Sequence, residues 1–331
     1  MERVKIRRWQ LLRWREGREC ADLRGAEFVA VGKRAFAGQA RLESVQMPPA
    51  LSAIKTAAFA GCVRLHSVAF DRQNAVGIAS DAFRDCAALR ELPGSEMLSR
   101  IGKNAFTGCR NLRAIVFGRD LRSLSDGAFS GCTALEELTL PSCVESIGYG
   151  VFAGCTELRG VTFEAGLTQL GAGMFRGDYS LHVPQFPESL RELPADCFRD
   201  CSAFDRLTLP GSIRAVGASA FRGCVRLEEV TAELGVQEIG AFAFAGCRDL
   251  AVVSLPHSVR KLKFGAFGLG FSRKKIRVLA DNEYMLKKLR SLFFRCGSLG
   301  RVSIEFAGKT LAERKRERHR KTPDDQPTHI S

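Results

Sequence analysis

The sequence carries none of the common local signatures of chemistry. It has no Cys-x-x-Cys pair, and its five histidines (66, 182, 257, 319 and 329) are scattered. A metal site needs its ligands clustered from about four positions. No Gly-x-Ser-x-Gly, His-Glu-x-x-His or Walker phosphate loop occurs, so there is no nucleophile elbow, zincin helix or phosphate cradle. The expectation is a protein with no enzyme activity and no cofactor. Long apolar runs are also missing, and none nears the ~20 residues of a bilayer-spanning helix. The opening stretch, "MERVKIRRWQLLRWREGREC", is positively charged but lacks an apolar core and a small-residue cleavage site. It does not read as a secretory signal. This predicts an intracellular setting, cytoplasmic or nuclear.

Acidic residues are in deficit. Asp and Glu number 36 against 50 Lys and Arg, a formal net charge of +14. The excess is concentrated at the ends: residues 1–18 hold seven basic and two acidic side chains, and residues 309–331 hold seven and four. Such a balance permits nucleic acid, acidic proteins or an anionic membrane as partner and does not choose among them. Surface arginine kept for solubility explains it equally well.

What the chain has in plenty is a period. Phe recurs at 36, 59, 83, 106, 129, 152, 175, 198, 221, 244 and 267, at intervals of 23 with one of 24. Three residues after Phe comes Cys (62, 86, 109, 132, 155, 201, 224 and 247), and six after it comes mostly Leu. Nine after it stand Val45, Val68, Ile115, Leu138, Val161, Leu207, Val230 and Val253. Eleven after it stand Phe117, Leu140, Phe163, Leu209 and Leu255, often with Pro next. Two more apolar residues and a Gly complete the unit. Eleven units of this kind are a solenoid, in which one unit cannot bury its apolar stripe alone and stacked units can.

Within a unit, "LEELTLP" (135–141) alternates as a short strand does, and its Pro ends the ladder. "SDGAFSGC" (125–132) opens on a candidate cap and reads as one or two helical turns. The Gly two residues after Phe suits the left-handed residue that closes such a turn. Each unit is therefore expected to run strand, bend, bend, short helix and return, with the strands in one parallel sheet ~4.8 Å apart.

The unit L-x-x-I-x-L-P-x-x-L-x-x-I-G-x-x-A-F-x-x-C-x-x-L resembles the BspA-like (Treponema pallidum-type) leucine-rich-repeat family. The resemblance covers about residues 28–280. It implies an α/β repeat: a curved leucine-rich-repeat solenoid with a parallel sheet on the concave face and short helices on the other. It also implies a role in binding, and in many members display on microbial surfaces for adhesion. The lack of an export signal sets this sequence apart from displayed members.

The period divides the chain into four parts: an N-terminal cap with a basic arm (1–30), the solenoid (31–280), a C-terminal cap (281–308) and a disordered basic tail (309–331). "WQLLRW" reads as part of the first cap, or as a basic amphipathic helix for a membrane surface. Residues 276–306 read as strand, helix and strand. The helix is capped by Asp281 or Asn282 and has Met285, Leu286, Leu289, Leu292 and Phe293 on one face; Cys296, Leu299 and Val302 echo the repeat. The in-phase cysteines, and Cys197, are read as buried free thiols. The seventh unit departs from the rest: Asp178 replaces Cys, and Pro184 falls at the strand centre. Its Arg176-Gly177-Asp178 triplet resembles an adhesion motif, but the phase places it in the ordinary turn, and the unit is read as degenerate and locally weak.

If positions nine and eleven point inward, then seven, eight and ten face solvent on the concave side. Glu43, His66 and Arg90 belong to that strip. So do Glu91, Arg113, Glu136, Glu137, Thr139, Arg159, Thr162, Arg206, Thr208, Glu228, Glu229 and Thr231. The strip mixes both signs with small polar groups, which suits a protein or peptide partner. It has no basic stripe with interleaved aromatics, as single-stranded nucleic acid would need. A merely solvated sheet is the alternative. The expected function is a monomeric, non-catalytic protein-interaction module binding along this strip. A nucleic-acid or anionic-surface binder working through "ERKRERHRK" is second, and a surface adhesin third.

Overall fold

The computed structural model describes residues 19–25, 28–71, 74–268, 276–280, 283–295 and 302–306. The chain winds as a parallel β-solenoid of about eleven turns, and each turn lays its side chains on their copies in the next. The nine core phenylalanines from Phe59 to Phe244 are at most 1% exposed, so the core runs the length of the array without a gap. The rings from Phe36 to Phe267 stack face over face, 4.8–5.9 Å between centroids and within 13° of parallel. The Cys, Leu and Val columns are buried beside them.

Two parallel ladders flank this core. The first uses the expected strands, among them Ser44–Gln46, Glu137–Leu140, Gly160–Phe163, Arg206–Leu209 and Glu229–Ala232. They pair in parallel, one 23-residue turn apart, as in Thr139 with Thr162 and Thr208 with Thr231. The second ladder lies where bends were expected. It consists of short strands such as Leu98–Ile101, Ser123–Leu124, Ser146–Ile147 and Glu192–Leu193. The Gly column beside it has a steric cause: a Cβ on Gly102 would lie 2.7 Å from the backbone of Ala79, and one on Gly240 would lie 2.6 Å from that of Gly217.

The short helices expected on the Phe–Cys side are not there. These segments are tight turns, and backbone angles explain why. Two residues before every repeat Phe the chain is left-handed, from Arg34 (φ 53°) to Gly265 (φ 64°). Two residues after Phe it is left-handed again, as at Gly108 (φ 76°) and Asp200 (φ 63°). Only three residues lie between, too few to propagate a right-handed helix. Their amides bond onward instead: Phe59 donates to the Ala82 carbonyl at 2.7 Å and Phe106 to Ala128 at 2.7 Å. The segment thus acts as a third inter-turn ladder.

At the C-terminal side, strand Ile276–Ala280 joins the first ladder and pairs with Val302–Phe306, and helix Glu283–Arg295 lies between them. Leu289 of that helix is buried and Leu292 packs against the core. Residues 1–18, the candidate caps Asp281 and Asn282, Cys296, Leu299 and the tail 309–331 lie outside the described residues. So do the side chains of Met285, Leu286 and Phe293.

Candidate functional site

The alternation of each first-ladder strand decides what solvent meets. In Glu137–Leu140, Leu138 and Leu140 are buried while Glu137 and Thr139 are exposed. In Arg206–Leu209, Leu207 and Leu209 are buried while Arg206 and Thr208 are exposed. Glu91, Arg113, Glu136, Arg159, Thr162 and Glu228 are likewise exposed, and Glu229 and Thr231 half-buried. All twelve candidate residues reach the surface.

They do not form one sheet. The first ladder comes in three blocks, of three, two and five strands. The first interruption has a local cause. After Glu91, which keeps one bridge to Ser67, the chain leaves the strand path through Pro93 and Gly94 (φ 84°) and makes a single 3-10 turn, Ser95–Met97. Residues 113–117 then have no strand to join on the side of the preceding turn. The buried Ser95 hydroxyl substitutes: it donates to the Val116 carbonyl at 3.0 Å and accepts the Val116 amide at 3.2 Å. The second interruption is at residues 182–186, where Pro184 has no amide to give. There His182 still donates its amide to Arg159 at 3.1 Å.

The candidate residues accordingly fall into three groups. Glu91 and Arg113 line an open groove of about 720 Å³ with Val63, Arg64, His66, Ala88, Arg90 and Ala114. Glu137, Thr139 and Thr162 line a second depression of about 350 Å³ with Ile115 and Gly160, and Glu136 and Arg159 stand beside it in sequence. Arg206, Thr208, Glu228, Glu229 and Thr231 occupy the last block, where Arg206 and Glu229 pair in register with their charges 4.0 Å apart. Arg159 pairs within its own turn, 3.6 Å from Glu157. Periodicity found the strip but missed the grooves, whose walls include Val63, Arg64, Ala88 and Ala114. The Pro93-Gly94 pair, a turn signal inside a strand position, was the cue available.

Residues 26–135, 76–205 and 191–313 match the family model described as BspA type leucine rich repeat region, in six copies. The chain belongs to the BspA-type leucine-rich-repeat family. Among solved structures, a leucine-rich repeat protein from Bacteroides ovatus is 20% identical, with 80% of this chain and 92% of that one covered, at a TM-score of 0.45. A leucine rich cell surface protein from Faecalibacterium prausnitzii is 19% identical, covers 89% of each chain and has a TM-score of 0.47. The leucine-rich repeat protein of T. pallidum is 20% identical over 80% of this chain and 86% of that one, at a TM-score of 0.25. No curated protein matches the chain.

In this BspA-type array the thiols are structural. Each in-phase Cys is buried and points its Sγ at a Phe carbonyl of the preceding turn, 26 residues earlier (27 for Cys86), as in Cys132 to Phe106 at 3.3 Å and Cys201 to Phe175 at 3.1 Å. Burial pushes the Cys62 thiol up to about 11 and Cys247 up to about 12. Cys197 is fully buried too. Among the described residues no group of three or more His, Cys, Asp or Glu could hold a metal, and no helix is long and apolar enough to cross a membrane.

Asp178 takes the thiol position in the seventh turn and is 0% exposed. The acid of the Arg176-Gly177-Asp178 triplet is therefore not displayed, although Arg176 is exposed. Its Oδ1 accepts the Cys155 amide at 2.8 Å and its Oδ2 has no partner. Burial raises its carboxyl well above the usual range, against a smaller lowering by the Cys155 and Gly154 amides. The turn around it is the loosest of the stack: Phe152 and Phe175 are 5.9 Å apart, and both ladders lack a strand nearby, at 182–186 and at 168–171. The departure of the seventh unit from the repeat is thus visible in ring spacing and in missing strands.

Proposed function

We propose that this BspA-type chain is a non-catalytic interaction module that binds a protein partner along the solvent side of its first ladder, which we take as the concave side. The observation that carries the reading is the strict alternation of that ladder. It holds a rigid, register-matched row of small polar and oppositely charged groups, with Thr139 beside Thr162 and Thr208 beside Thr231. Mixed charge on a rigid surface favours selective protein contact over general attraction to a polyanion. We include in the proposal a monomeric state and an intracellular setting. Nine buried free cysteines support a reducing compartment.

The test is site-specific photocrosslinking with the full chain. A photoreactive residue at Thr139 or Thr208 should give discrete protein adducts, and one at Arg214 or Gln237 on the second ladder should not. Adducts from the second ladder alone would overturn the reading, as would capture that survives only at low salt and is removed with nuclease. Protease added to intact cells checks the setting: an intracellular chain survives, and a surface chain, as the name of the Faecalibacterium prausnitzii neighbour has it for that protein, is cut.

A further inference from the structure

We infer that the groove at the first ladder interruption is a docking site for an acidic, extended segment of the partner protein. This deepens the reading above and rests on it. The column of residues seven positions after Phe is held at ladder spacing through the interruption: Arg90 donates its amide to His66 at 2.9 Å, Arg113 to Arg90 at 3.3 Å, and Glu136 to Arg113 at 3.2 Å. His66, Arg90 and Arg113 therefore stand side by side, one turn apart. At two other places in the column charge is answered locally. Glu43 is bonded by Arg64 and Arg159 is met by Glu157. Among the described residues no carboxylate pairs with the guanidinium groups of Arg90 and Arg113, and both are exposed.

Of the three arginines that line the groove, Arg64 is bonded to Glu43, which leaves Arg90 and Arg113 against the single lining carboxylate of Glu91. Like charges one strand spacing apart destabilise a sheet unless something of opposite sign lies over them. The lining is apolar and small at Ala88 and Ala114, so a peptide backbone can come close. At about 720 Å³ the groove is of the size that holds a few side chains. An extended segment with carboxylates at alternate residues would set one on Arg90 and Arg113, where guanidinium forks take carboxylates two bonds at a time. Its intervening apolar residues would rest against Val63 and Ala114.

The probe is a short fluorescent peptide alternating Glu and Val, with a Lys–Val peptide and oligothymidine as comparisons, all titrated against the full chain. The acidic peptide should bind saturably, and Arg90→Glu with Arg113→Glu should weaken it by about tenfold or more. Arg214→Glu with Arg260→Glu makes the same change in net charge on the second ladder and should leave binding unchanged. All four sites are exposed, and melting curves check that the variants fold; Arg90→Gln with Arg113→Gln serves if the reversal does not. Absence of saturable binding overturns the proposal. Equal loss in both double variants, or tighter oligothymidine binding through the same two arginines, overturns it as well. If crosslinks form at Thr139 and Thr208 but the acidic peptide is not retained, the strand-face reading stands and the groove assignment falls.

Discussion

Replacing Asp178 by cysteine should stabilise the protein, by an amount that grows with pH. The thiol restores the column, and its Sγ would face the Phe152 carbonyl, 26 residues earlier, as its neighbours do. The pH dependence comes from the acid. Burial raises the folded-state pKa of Asp178 above its unfolded value, so the folded state holds the proton more tightly. Its stability contribution is fully present below the unfolded pKa of about 3.9, and is lost as pH rises from there through the folded value. In that window the loss is about 1.4 kcal/mol per pH unit. A cysteine here stays neutral over the same window, because burial raises the thiols on either side. For an array of this length, about 1.4 kcal/mol corresponds to roughly 2 °C in Tm. Thermal melts of wild type and Asp178→Cys, at one-unit steps upward from about pH 4, should therefore diverge by roughly 2 °C per step until the pH passes the folded-state value. The difference between the two proteins cancels every other titrating group. Asp178→Asn separates charge from shape and should remove the slope while keeping most of the volume. A difference that is constant with pH would refute the argument, because it would mean the carboxyl is ionised or solvated in the folded state.

Three further outcomes follow from the packing. Phe152→Ala, between two stacked rings, should cost about 3–5 kcal/mol in urea melts, and Phe36→Ala, with a repeat ring on one side only, should cost distinctly less; equal costs would contradict a stacked core. Gly118→Ala would put a Cβ onto the Glu96 carbonyl and displace the 3-10 turn, with a loss of about 1–3 kcal/mol, whereas Gly25→Ala, with open space around it, should be neutral within about 0.5 kcal/mol in the same melts. Native alkylation followed by mass spectrometry should label Cys20 rapidly and leave the nine buried thiols untouched until denaturant is added.

The architecture was legible because each column asks one thing of the sequence. Phe every 23 residues, Cys three later and the Leu and Val positions report burial directly, and all are buried. The helix expectation failed for a reason outside the apolar pattern. The left-handed residue before Phe is Gly in some turns but Arg34, Ala57, Asp81 and Phe242 in others, so composition at that position does not announce the conformation. The second ladder was hidden similarly, since strands of two residues leave too little alternation to read. Of the candidate surface, the outward direction of Glu137, Thr139, Arg206 and Thr208 was legible from period two. Its division into blocks was not, because that depends on Ser95 bonding a backbone one turn away.

The interruptions bear on recognition as much as on folding. A partner lying along a strictly regular ladder would meet similar chemistry every 23 residues and could shift by a turn at little cost. Specificity needs a feature that only one register satisfies. In this chain the features that do not repeat are the chain diversion at Pro93 and Gly94, the adjacent cations Arg90 and Arg113, and the missing strand at Pro184. The core tolerates them because the Phe stack continues unbroken beneath both. Regular turns thus supply rigidity, and the irregular ones supply an address.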